Sequence, residues 1–141
     1  MNRIFLDTDV LLDFFFGREP FAGDTEKLLH FCAERKISGF TSPLVITNIY
    51  YLLRKTASHH SVVDKLKKLL QIIDILDVNK KAIIYALNSE FKDFEDAVQH
   101  FSALHYGDID VIVTRNVKDY NKSELAVFLP AEYLKILDFK N

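Results

Sequence analysis

Short, β-prone apolar runs alternate with longer amphipathic segments along this chain, and that alternation restricts the available folds more than any other feature. Residues 3–6 (RIFL) are apolar and cut off at once by Asp7-Thr8-Asp9, as expected of a buried parallel strand. Residues 39–41 (GFT), 109–114 (IDVIVT) and 127–129 (VFL) read as further strands, IDVIVT being the clearest. Between them, apolar clustering of helical type runs from Val10 to a stop at Gly17. It resumes over 20–35, where Pro20 opens a segment with Leu28, Leu29, Phe31 and Cys32 on one face. Ser42 and Pro43 have the chemistry of an N-cap and a first-turn proline, and start a helix (LVITNIYYLLRK) that runs to about Ala57. Residues 62–76, 78–90 and 93–106 read as three more helical segments, and Pro130 starts a closing one.

Strands and helices in this order predict an α/β fold: a three-layer α/β/α sandwich with a central parallel sheet of four or five strands. No repeat, low-complexity tract or linker interrupts the pattern, so residues 1–141 read as one domain. Ligands of open α/β sheets gather at the carboxyl ends of the strands. Asp7 and Asp9 follow the first strand, and Asn116 and Asp119 follow IDVIVT, so acids distant in sequence are expected at one crevice.

Each acid has a structural and a chemical reading. Asp7 suits a helix N-cap, yet Thr8 and Asp9 could cap equally well, which leaves Asp7 free for the crevice. Asp13, one helical turn on, reads as facing solvent. Asp93 and Asp96 in DFEDA have the spacing of a capping box, and acids suit the positive end of a helix dipole. The same three-residue step also puts both carboxylates on one helix face. In TRNVKDY, Thr114 offers a hydroxyl to orient a carboxylate or water, Asn116 a neutral oxygen and Asp119 a second charge. Mg²⁺ and Mn²⁺ take hard oxygen ligands and keep several waters, so two to four carboxylates at a strand-end crevice suffice for either ion.

Other chemistries find little support. His59 and His60 are adjacent, His100 and His105 are five apart, and no Cys/His spacing suggests zinc. The four glycines are scattered, so a glycine-rich phosphate loop is lacking. Net charge is -2, and any attraction to nucleic acid must come from a local patch or a bound cation. The single cysteine, Cys32, forms no internal disulfide and favours the reducing cytoplasm. No signal-peptide core and no membrane-length apolar run is present in the sequence.

With the three acidic groups in order, the sequence resembles the PIN domain family, the metal-dependent ribonuclease fold of many bacterial toxin–antitoxin toxins. FLDTDVLLD, TSPLVITNIYYLLRK and DFEDAVQHFSALHYGDIDVIVTRNVKDY carry the resemblance, which extends from about Arg3 to the closing PAEYL. It implies that Asp7, Asp96 and Asp119 are catalytic and hold Mg²⁺ or Mn²⁺, with Asn116 as a further metal ligand. Asn48 falls where the family usually has Glu, and Asn116 where many relatives have Asp. Each substitution removes a negative charge, which predicts weaker metal binding that Asp93 and Asp9 partly restore. Asn48 and Thr114 then support the site, and Arg54, Lys55 and Arg115 are candidate phosphate contacts for an RNA substrate.

The resemblance further implies an antitoxin partner. The helices LVITNIYYLLRK and VVDKLKKLLQIIDIL carry more apolar residues than one face needs, which predicts a seam for a partner helix or a homodimer. Two alternatives compete. Asp-x-Asp after a first strand also occurs in haloacid-dehalogenase-like phosphatases, but Val10-Leu11 stands where those have a small pair. A non-catalytic PIN-like binding module is the other.

Overall fold

A computed structural model describes residues 1–140. Among them, five strands form one parallel sheet in the order β3-β2-β1-β4-β5, with β1 (Arg3–Leu6) at its centre. Ile4, Phe5 and Leu6 are all fully buried, because helices cover both faces and leave no solvent side to alternate with. β1 pairs with β2 (Ser38–Thr41) on one side and with β4 (Val111–Val113) on the other. β5 (Ala126–Phe128) closes the edge beyond β4. Because the strand order reverses about β1, the crevice opens where β1 and β4 end, with Leu6 in register with Val113.

Seven α-helices among the described residues surround the sheet: α1 (Thr8–Phe16), α2 (Phe21–Ala33), α3 (Pro43–Arg54), α4 (His59–Leu69), α5 (Lys80–Leu87), α6 (Phe94–Tyr106) and α7 (Pro130–Lys140). Their ends follow local chemistry. Gly17 ends α1 in the left-handed region (φ 62°), which glycine adopts without a Cβ clash. Ser42 caps α3 by accepting from the Val45 N–H at 3.2 Å, with Pro43 in the first turn. Gly39 sits where β2 meets the helical layer. A Cβ there would stand 2.8 Å from Cys32 Sγ and 2.8 Å from Ile73 Cγ2, so the position demands glycine for close approach.

Two readings of the sequence need correction here. The segment 62–76 is not one helix: α4 ends at Leu69, and β3 (Asp74–Ile75) adds a fifth strand at the sheet edge. Ile73 and Leu76, on either side of β3, are buried, and their spacing continues the apolar pattern of α4. The apolar surplus of α3 and α4 largely enters the core, at Val45, Ile49 and Leu53 and at Val62, Leu66 and Leu69. Tyr51 remains outside, 65% exposed. Among the described residues no helix is long and apolar enough to cross a membrane.

Candidate active site

The carboxyl ends of β1 and β4, the start of α6 and one face of α3 enclose a cleft of about 490 Å³. Asp7, Asp9, Asp96, Asn116 and Asp119 line it, together with Asn48 from α3. The acids expected at one crevice therefore do share one.

Asp7 precedes α1 as its N-cap, but only one of its carboxylate oxygens serves the helix. It accepts from the adjacent Thr8 N–H at 2.8 Å, rather than from the second or third amide of the turn. Its other oxygen accepts from Thr114 Oγ1 at 2.9 Å and faces the Tyr120 hydroxyl at 3.3 Å. Thr114 Oγ1 in turn accepts from the Asn116 N–H at 3.0 Å, so this buried hydroxyl ties the β4 turn to Asp7. Asp96 meets the same tyrosine, with Oδ1 3.2 Å from the hydroxyl.

Asp93 and Asp96 realise only half of a capping box. Asp93 Oδ1 accepts from the Asp96 N–H at 2.9 Å and caps α6. The carboxylate of Asp96 turns to Tyr120 and the cleft instead of back to the cap. Asp119 lies on a 3-10 turn (Val117–Tyr120) and, like Asn116, is exposed at the rim.

The electrostatics are those of crowded acids. Burial and the neighbouring Asp7 charge push Asp9 up to about 7. Burial, Asp7 and Asp93 do the same for Asp96, also to about 7. Burial raises Asp7 as well, against the hydrogen bonds that favour its charge. Asp9 accepts from the Arg115 N–H at 3.2 Å through Oδ2, while its buried Oδ1 has no partner. The ion pairs of this region run to Asp13 rather than to these carboxylates.

The basic residues and Asp13 depart from expectation. Asp13 does not face solvent: it is fully buried, and Arg115 grips it through Nε at 2.6 Å and Nη2 at 3.0 Å. Helix α1 packs on α2, which seals this face, and a buried carboxylate then needs a cation. Arg115 is therefore not a free phosphate contact, and its guanidinium also stacks over Phe21 at 4.2 Å. Arg54 lies outside the cleft and donates to the Ala57 carbonyl at 2.9 Å. Lys55 does line the cleft, as does Arg18, which the sequence reading missed.

Asn48 also behaves differently from a simple neutral ligand. Its Nδ2 donates to Glu95 Oε1 at 2.7 Å, which brings in an acid that sequence reasoning passed over. Tyr120 and the fully buried Gln99 were likewise missed as parts of the site. Gln99 lies close enough to Asp7 to favour its charge, yet neither amide atom makes a hydrogen bond of good geometry. Only the meeting of α3, α6 and the turn after β4 reveals these neighbours.

The sequence matches the PIN domain model over residues 3–118. The chain belongs to the PIN domain family. Over 137 residues it is 24% identical to Ribonuclease VapC1 of Aquifex aeolicus (strain VF5), an alignment covering 94% of this chain and 93% of that protein. Its fold is similar to that of VapBC2 from Rickettsia felis, solved bound to a promoter DNA fragment. The TM-score is 0.67 at 16% identity, over 90% of this chain and 98% of the other. It is also similar to Mycobacterium tuberculosis VapC20, described as a sarcin–ricin loop cleaving toxin. There the TM-score is 0.57 at 18% identity, over 77% of this chain and 86% of the other.

The all-oxygen donor set suits a hard divalent ion, and the orphaned buried Oδ1 of Asp9 fits the same chemistry. Among the described residues, no three acidic, histidine or cysteine side chains stand close enough together to hold an ion as placed.

Proposed function

We propose that this chain is a Mg²⁺- or Mn²⁺-dependent endoribonuclease of PIN type, acting in the cytoplasm as the toxin of a toxin–antitoxin pair. One observation carries the reading. Three buried or half-buried acids, Asp7, Asp9 and Asp96, crowd a strand-end cleft, and the last two are raised to about 7. Such crowding costs stability unless a cation or protons relieve it, and strongly perturbed acids in a cleft are a mark of functional sites.

In this reading Asp7, Asp96 and Asp119 hold the ion, with Asn116 as a neutral oxygen ligand and Asp9 and Asp93 adding negative charge. The bound ion supplies Lewis-acid chemistry, acidifying water and offsetting charge on the scissile phosphodiester. Thr114 and Tyr120 fix the orientation of Asp7 and Asp96 through their hydroxyls. Lys55 and Arg18 flank the acids and are suited to steady the flanking phosphates of an RNA strand.

Support for a ribonuclease comes from the names of the relatives, Ribonuclease VapC1 and the sarcin–ricin loop cleaving toxin. Solved neighbours described as VapBC or toxin–antitoxin complexes support an antitoxin partner. An apolar groove between α1, α2 and α4, lined by Phe14, Phe15, Leu29 and Ile72 and flanked by Lys65 and Lys68, suits an amphipathic, acidic antitoxin segment. A homodimer is the proposed resting assembly of the toxin.

Incubating the purified chain with RNA in Mn²⁺, and again with chelator, tests the activity. Wild type should cleave only with Mn²⁺, and Asp7→Asn should not cleave. Cleavage that persists in chelator or in Asp7→Asn would refute the proposal.

A further inference from the structure

We infer that Glu95 is an additional carboxylate of the ion-binding set, and that Asn48 is the residue that positions it. The inference rests on reading the cleft as a cation site. Asn48 Nδ2 reaches from α3 to Glu95 Oε1, in the first turn of α6, at 2.7 Å, within the range of charge-assisted hydrogen bonds. Both residues line the same cleft as Asp7, Asp96 and Asp119.

Capping does not account for this arrangement. Asp93 already satisfies the start of α6 by accepting from the Asp96 N–H. An acid placed only to complement the helix dipole has no need of a partner on another helix. Glu95 instead lies half-buried in the wall of the cleft that Asp7 and Asp93 also line, a costly place for a further carboxylate. Holding a flexible glutamate there loses rotamer entropy as well. The bond to Asn48 offsets part of that cost, and a cation would offset the rest.

The next turn of α6, buried behind the cleft, points the same way. One helical turn beyond Glu95, Gln99 is fully buried beside Asp7, with neither amide atom in a hydrogen bond of good geometry. A buried amide so poorly bonded is costly, and it sits where packing alone would select an apolar residue. Glu95, Asp96 and Gln99 thus bring one polar stripe of α6 to the acids of β1. Asn48 on α3 carries no charge of its own, but it delivers the charge of Glu95.

Calorimetric titration of the metal-free chain with Mn²⁺ tests this. Glu95→Gln should weaken Mn²⁺ binding by at least about tenfold, since one charge beside the ion is lost. Its thermal midpoint without metal should stay level or rise. Asn48→Ala should lose roughly tenfold or less, because it disturbs only orientation. The double variant Asn48→Glu/Glu95→Gln, which moves the charge to the α3 side of the same contact, should regain affinity. Wild-type Mn²⁺ affinity in Glu95→Gln, alongside impaired Asp96→Asn, would overturn the role of Glu95 alone. A wild-type chain that binds no Mn²⁺ would overturn the cation-site reading together with it.

Discussion

Asp7 and Asp96 face a single hydroxyl: Tyr120 Oη lies 3.3 Å from Asp7 Oδ2 and 3.2 Å from Asp96 Oδ1. One O–H carries one proton, so it cannot satisfy two ionised carboxylates fully at once. Burial and these charges push the phenol itself well above its usual value, and it stays a donor. Tyr120→Phe removes the donor and keeps the ring. A hydrogen bond to a charged group is worth about 1.5–3 kcal/mol, and the loss should approach that figure at pH 8.5. At pH 6.5 it should be smaller, because more of the Asp96 population is already protonated. Urea unfolding at the two pH values measures the difference, and a pH-independent loss would mean the hydroxyl serves packing only.

The raised acids also set the pH dependence of the metal-free chain. Asp9 and Asp96 titrate near 7 when folded, against an ordinary value of 3.8, so the folded chain binds more protons between those limits. Their stabilisation is complete below about 3.8 and is lost as pH rises through 7. Buried His100 has a lowered value and acts oppositely below 6.5, so the clean window lies above that point. Thermal midpoints should fall from pH 6.5 to 8.5 without metal, and Mn²⁺ should restore them at the upper end. A midpoint that rises across this window without metal would contradict the assignment.

Arg115 is expected to matter for stability. Asp13 is 1% exposed at its side chain, and losing the bidentate partner would leave a buried charge with only Arg18 at 3.7 Å. Arg115→Ala should destabilise by about 3 kcal/mol, the lower end for a broken buried pair. Arg54→Ala, at an exposed position, should stay within about 0.5 kcal/mol. Equal denaturation midpoints for the two variants would refute the distinction.

Asn116 lies at the rim of the cleft, exposed, with its backbone N–H held by Thr114. Asn116→Asp adds a charge beside the proposed ion and should tighten Mn²⁺ binding in calorimetry. Unchanged affinity would mean its side chain does not face the ion.

Much of this arrangement was legible in the sequence because it depends on local chemistry. RIFL and IDVIVT announced buried strands, Ser42-Pro43 a helix start and Gly17 a helix stop, and the fixed end-points of β1 and β4 brought Asp7 and Asp119 to one crevice. β3 was not legible, since two exposed residues between buried Ile73 and Leu76 cannot be told from a helix by spacing. Asp13 misled because its burial depends on how α2 and the turn carrying Arg115 fold over α1. Glu95 was hidden for a similar reason. Beside Asp93 and Asp96 it stands where any first-turn acid would, and only the approach of α3 gives it Asn48.

Manganese-dependent cleavage of an unstructured RNA by wild type and Asp96→Asn is the most direct test of the acidic cleft as a nuclease site. Wild type should cleave, and Asp96→Asn should not, while its metal-free thermal midpoint matches or exceeds that of wild type because a crowded charge is gone. An Asp96→Asn chain that cleaves at the wild-type rate and melts earlier would contradict the account, and would leave Asp96 as an acid that merely starts a helix.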